Sequence, residues 1–147
     1  MKPTYYAYED WGSIISEPPR DFEKLGKIVT YNNHIFINEK YKGIHVIDNS
    51  DPVHGKKIYF WVINGNTEFT VNGNVLYANN GRDLLVIDIS DYAHIVVLKA
   101  LLNQYEPEKL KVYPANYNGY FECFDPSKGL LKGWEKGTLI NPNCKTI

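Results

Sequence analysis

The sequence predicts an all-β protein built from two tandem units of about 40 residues each, and three observations carry that expectation. The phrase GIHVIDNSDP at 43–52 returns as DLLVIDISDY at 83–92. Residues 30–51, set over 70–91 without a gap, are identical at Thr30/Thr70, Asn32/Asn72, Val46/Val86, Ile47/Ile87, Asp48/Asp88, Ser50/Ser90 and Asp51/Asp91. These matches cluster where β-rich runs meet residues that close tight turns.

The elements follow in chain order. SEPPRDFEKLG at 16–26 separates an N-terminal arm (1–26) from the first unit, because Pro18 and Pro19 cannot donate to a strand ladder. In the first unit (27–66), Ile28 to Tyr31 is a short β-rich run closed by Asn-Asn, and HIFIN at 34–38 alternates by two. Ile44 to Asp48 and KIYFWVI at 57–63 supply two more strands. The second unit (67–102) repeats the order with Phe69 to Val71, an Asn-Gly turn, NVLYA at 74–78, Leu84 to Asp88 and HIVVLKAL at 94–101. The third strand of each unit is apolar at nearly every position, which predicts cover on both faces. KALLNQ at 99–104 also contains good helix formers, so a short helix before Pro107 is compatible with the sequence. The remainder (103–147) reads as a capping tail, in which YFECFDP at 120–126 loosely echoes HVIDNSDP.

Three or four antiparallel strands in about 40 residues make a unit resembling a β-propeller blade. Two such units cannot close a ring, which takes about four. The expected architecture within a single domain, 1–147, is therefore an open, partial propeller-like pair of blade-like units with the tail as a cap. Association with a second copy through unpaired edges is the competing way to cover them.

GIHVIDNSDP and DLLVIDISD resemble the LVIVD repeat, a propeller-blade-like repeat of bacterial and archaeal surface proteins; LLVID at 84–88 matches better than IHVID at 44–48. Residues 26–144, including the tail GYFECFDPSKGLLKGWEKGTLINPNC, are similar to predicted Bacteroidetes surface lipoproteins of unknown function. The resemblance implies an extracytoplasmic address, in the periplasm or at the outer-membrane surface, and a binding or structural role. The lipid-anchor signal of those proteins is missing from this sequence.

Composition narrows the function classes. Sixteen Lys and Arg stand against seventeen Asp and Glu, for a formal charge of −1, so no positive excess is available to neutralise a nucleic-acid backbone. The aliphatic runs LLVI at 84–87 and IVVL at 95–98 fall far short of the roughly 18 residues of a spanning helix. Lys2 leads into the polar, aromatic PTYYAYEDW rather than a hydrophobic stretch, so the sequence reads either as cytosolic or as a mature or trimmed chain.

Asp48, Asp51, Asp88 and Asp91 recur at matching strand ends and could ligate calcium, but without a dense acidic loop the turn-capping reading is preferred. His34, His45, His54 and His94 are scattered without metal-ligand spacing, and no nucleophile elbow, phosphate loop or zinc signature is present. No metal, cofactor or catalytic residue is expected, and the chain reads as non-enzymatic. Cys123 and Cys144 form either a disulfide or two buried thiols. Twelve Tyr, six Phe and three Trp are the unusual feature; most are expected to seal the edges of a small β protein. Tyr5, Tyr6, Tyr8 and Trp11, crowded at the N-terminus, form the candidate binding surface. The leading expectation is thus a cell-envelope repeat module that binds a protein or glycan through turns and aromatic residues. The alternatives are a self-assembling element whose partner is itself, and a hydrolase with a propeller-like cleft.

Overall fold

A computed structural model describes residues 1–7, 12–105 and 112–146. Its strands are β1 (Lys2–Tyr5), β2 (Ile15–Glu17), β3 (Leu25–Tyr31), β4 (His34–Glu39), β5 (Gly43–Asp48), β6 (Lys56–Val62), β7 (Phe69–Asn72), β8 (Val75–Asn80), β9 (Asp83–Asp88), β10 (Val96–Leu101), β11 (Tyr120–Phe121), β12 (Leu131–Glu135) and β13 (Cys144–Lys145). A 3₁₀ turn at Pro126–Lys128 precedes β12. Lys99 to Leu101 continue β10 and the chain turns at Leu102, so no helix forms there; the β-branched run before Lys99 sets the local structure. The rest of the stretch leading to Pro107 lies outside the described residues.

The strands form four antiparallel sheets, ordered β2-β6-β5-β4-β3, β10-β9-β8-β7, β1-β12 and β11-β13. All four are separate, open and uncurled, which corrects the partial propeller-like arrangement and the LVIVD blade description expected from the sequence. The all-β class stands. Alternation and turn residues specify pairing between neighbouring strands, and that pairing forms; they do not specify how whole sheets are arranged. The flanks, expected as an arm and a cap, are recruited as strands. β2 joins the first sheet along β6, and β1 pairs with β12 of the tail.

Tight turns set the registers. Asn32 and Asn33 take φ of 49° and 58° and close β3 onto β4, the left-handed pair that matches strand twist. The link from β4 to β5 uses Lys40, Tyr41 and Lys42, whereas β8 to β9 uses only Gly81 and Arg82. That one-residue difference corrects the ungapped alignment. His34 opposes Asp48 and Val75 opposes Asp88, so Phe36 corresponds to Tyr77 and Asn38 to Asn79.

One buried cluster unites the two large sheets. Phe36, Ile44, Val46 and Trp61 of the first pack with Phe69, Val71, Leu76, Ala78, Leu85 and Ile87 of the second. Burial of each large side chain contributes about 1.5–3 kcal/mol. The Trp61 indole donates to the Tyr92 carbonyl at 3.0 Å, and Ser16 Oγ donates to the same oxygen at 2.7 Å. This bond fixes the β9–β10 loop against β2 and β6. The opposite face of the first sheet is covered by residues 20–24, with the Arg20 guanidinium 4.3 Å from the centre of the Phe60 ring.

Candidate functional site

A cavity of about 240 Å³ opens where the β4–β5 turn, the β6–β7 link, the β8–β9 turn and the tail converge. Tyr41, Thr67 and Asn79 line one side, Leu130, Phe124 and Pro126 another, and Arg82, Asp83 and Asn103 add polar groups.

Close packing of backbone creates this convergence. A Cβ on Gly81 (φ 62°) would lie 2.1 Å from Leu130 Cδ2, and one on Gly65 (φ 74°) would lie 2.9 Å from the Gly81 nitrogen. Only residues without a side chain let three chain segments meet there. Tyr41 is held at φ 67°, a strained conformation for a bulky residue. Its nitrogen donates to Asn66 O at 2.8 Å, and its carbonyl accepts from Gly65 N and Tyr6 Oη, each at 2.8 Å. Burial pushes the Tyr41 hydroxyl above its ordinary pKa, so this wall of the cavity is neutral at physiological pH.

Beneath the cavity runs a buried chain of asparagines. Asn38 Nδ2 donates to Asn66 Oδ1 at 2.7 Å, and Asn66 Nδ2 donates to Asn79 Oδ1 at 3.1 Å. Asn79 Oδ1 also accepts from the amides of Thr67 and Glu68, each at 2.9 Å, while its Nδ2 donates to Thr67 Oγ1 at 3.0 Å. Asn38 and Asn66 are fully buried and Asn79 nearly so. A buried amide satisfied on several sides fixes its neighbours, so Thr67 and Asn79 present a rigid wall. Sequence reading missed this network because the ungapped alignment set Asn38 over Ala78.

The charged groups of the cavity are less committed. Arg82 Nε reaches the Tyr105 carbonyl at 3.5 Å, and Asp83 Oδ1 accepts from the Asn103 amide at 2.9 Å. Both residues border the cavity together with apolar Val112, Leu130 and Leu131.

Of the N-terminal aromatic residues proposed as a contact surface, Tyr8 and Trp11 lie outside the described residues. Tyr5 and Tyr6 are half-buried. Tyr5 stacks on Phe124 with centroids 5.9 Å apart, and its hydroxyl accepts from Asp125 N at 3.0 Å. Tyr6 reaches Tyr41 as above, so both anchor β1 to the walls of the cavity. The main aromatic cluster is internal: Phe36, Trp61 and Tyr92 pack ring to ring, with His34 against Tyr92. A module presenting turns and aromatic residues from a propeller-like scaffold is therefore not what this chain builds. The hydrolase with a propeller-like cleft falls with the blade arrangement, and the self-assembling element loses the paired blades whose unpaired edges a second copy was expected to cover.

Each recurring Asp folds back on its own turn. Asp48 and Asp88 accept from the amides of Ser50 and Ser90, and Asp51 and Asp91 accept from those of Val53 and Ala93. Asp51 and Asp91 also meet His54 and His94 at 2.8 and 2.9 Å. Hydrogen bonding holds all four carboxyls below their ordinary range. No cluster of three or more metal-ligating side chains occurs among the described residues. Cys123 and Cys144 are joined by a disulfide. Among the described residues, no helix is long and apolar enough to cross a membrane. Comparison with protein-family models, curated proteins and solved structures returns no match.

Proposed function

We propose that the protein binds a small organic molecule in the cavity between the two large sheets and the tail, and does not transform it. The observation that carries this reading is the lining itself: a strained, multiply anchored Tyr41, rigid asparagine walls and apolar residues, with Arg82 and Asp83 on one side. Concave apolar surface with a few convergent polar groups is the usual form of a ligand site. The volume lies below the roughly 300–1,000 Å³ of drug-sized sites, which favours a small ligand. A flat apolar body fits against Phe124 and Leu130, and an anionic end suits the Arg82 guanidinium. Binding without turnover is favoured because, among the described residues, no His or Cys stands in the lining and one oxygen of Asp83 already accepts the Asn103 amide. An extracytoplasmic address accords with the Cys123–Cys144 disulfide, since such bonds persist in oxidising compartments.

Ligand-observed NMR against a panel of aromatic carboxylates and their uncharged amides tests the reading. The carboxylates bind the native chain, lose about tenfold in affinity with Arg82→Met, and are excluded by Val112→Trp, which fills the cavity. Equal binding of acids and amides, or binding untouched by Val112→Trp, rejects it.

A further inference from the structure

The chain fastens the tail wall of the cavity in two different ways. Phe124, Pro126, Gly129, Leu130 and Leu131 supply this wall, and all five lie inside the loop closed by the Cys123–Cys144 bond. One part is tied to the N-terminal strand: Leu131 pairs with Tyr5 across β12 and β1, and Tyr6 N donates to Leu130 O at 2.9 Å. The other part, Phe124 to Pro126, follows directly on Cys123 and belongs to no strand. The strand pair next to it is β11 with β13, two residues on each side, with Tyr120 opposite Lys145 and Phe121 opposite Cys144. Strands so short do not hold together on their own. The crosslink therefore sets where Phe124 stands, and a wall fixed in advance binds a ligand at lower entropic cost.

We infer that the Cys123–Cys144 bond is a redox gate on the cavity. Oxidised, it holds Phe124 and Pro126 against a flat ligand; reduced, it lets this part of the wall move away while Leu130 and Leu131 stay. The inference rests on the reading of the cavity as a ligand site. Both cysteines are half-buried, so a small dithiol reaches the sulfurs. The dithiol gives up two electrons and two protons: the bond between the cysteine sulfurs breaks into two thiols, and the reductant closes its own disulfide. Arg82 and Asp83 belong to the β8–β9 end of the cavity, outside the crosslinked loop. Reduction therefore loosens the hold on the flat body of a ligand and leaves the hold on its anionic end in place. The protein thus keeps an aromatic acid in oxidising surroundings and lets it go in reducing ones.

Ligand-observed NMR with benzoate and with propionate, before and after treatment of the full chain with dithiothreitol, tests the gate. Benzoate affinity is expected to fall about tenfold on reduction and to return on reoxidation, while propionate affinity stays within about twofold. Amide exchange at Asp125, whose nitrogen donates to Tyr5 Oη, should speed up in the reduced chain. Exchange at Phe36 and Val46 should stay slow, which shows that the core is intact. Phe124→Ala in the oxidised chain should weaken benzoate to the same extent and abolish the response to reduction. Equal benzoate affinity in the two redox states overturns the gate and leaves the ligand site standing. So does a parallel loss of benzoate and propionate, or unfolding of the reduced core, since either makes the bond a structural brace. An oxidised chain that binds neither acid rejects the ligand site itself, and the gate with it.

Discussion

Glu39 and His45 face each other across the outer face of the first sheet, with Oε2 2.8 Å from Nε2 and both side chains almost completely buried. The Glu39 carboxylate also accepts the amides of Glu23, at 3.0 Å, and Lys24, which ties the segment over this face to β4. His45 lies between Phe22 and Phe60, with both rings edge-on at centroid distances of 4.7 and 4.8 Å. At the corresponding positions the second sheet has Asn80 and Leu85, so the strand framework does not require this pair. Its work is to hold residues 22–24 in place.

Glu39→Gln tests that role. Burial pushes the Glu39 carboxyl up, but the hydrogen bonds from His45 and the two amides outweigh it and leave the pKa below its ordinary range. A depressed folded-state value means the stabilisation is complete above the unfolded value of about 4.3 and is lost as the pH falls through the folded one. Replacement by Gln should cost about 2 kcal/mol at pH 7, the scale of hydrogen bonds to a charged group. The gap between native and variant chains should shrink below about pH 4. Urea denaturation at several pH values measures both quantities. Because the exposed turn aspartates also have depressed values, native stability keeps some acid sensitivity in the variant. A gap that stays constant down to pH 3 would remove the ionised Glu39 from the account.

Asn79→Ala should cost about 3 kcal/mol, because it orphans the amides of Thr67 and Glu68 and takes one of three acceptors from Asn66 Nδ2. The loss also loosens the cavity wall. Hydrogen exchange at Thr67 and Glu68 should accelerate in the variant while that at Phe36 and Val46 stays slow under native conditions. A loss below about 1 kcal/mol would mean that water replaces the amide and that the network is not a rigid support.

The strand content was legible in the sequence because pairing is local. Val46, Ile47, Asp48 and their counterparts at 86–88 mark strand ends, and the Asn32–Asn33 turn announces its hairpin through residues that tolerate positive φ. The arrangement of the sheets was not legible. Whether Ile15 to Glu17 forms an arm or a fifth strand depends on an edge offered by Trp61, more than forty residues away. The cavity was hidden for a similar reason. Its walls come from Tyr41, Asn79, Arg82 and Leu130, none of which stands in a motif, and the one-residue difference between two turns concealed the kinship of Asn38 and Asn79.

Gly81→Ala examines the close approach under the cavity. A Cβ there collides with the Leu130 side chain, and the left-handed backbone adds strain of about 1 kcal/mol. The steric part can be relieved, since Leu130 Cδ2 is the end of a movable side chain, but the backbone part cannot. Gly81→Ala should therefore destabilise by about 2 kcal/mol, and the double variant with Leu130→Ala should fall short of the sum of the single losses by about 1 kcal/mol. Strict additivity in thermal denaturation would place the two residues out of contact.

The Cys123–Cys144 bond closes a loop spanning 21 residues and joins β11 to β13, where Phe121 opposes Cys144 and Thr146 N donates to Gly119 O at 3.1 Å. Two strands of two residues each cannot hold together on backbone bonds alone. The crosslink should contribute about 3 kcal/mol on the chain-entropy view, which restricts the unfolded chain. Intact mass should rise by about 2 Da on reduction, for the two added protons. Cys123→Ser with Cys144→Ser should then lower stability by about that amount and speed exchange at Phe121 and Thr146. Phe121 packs edge-on against Trp134 at 5.4 Å, and β12 carries Trp134 into its pairing with β1, so loosening should spread to Pro3 and Thr4. It should stop there, since β4 and β5 are held by the separate cluster around Trp61 and Phe36. Unchanged mass with free thiols in the protein as purified, or equal stability of the double variant, would show that the tail is held by packing instead.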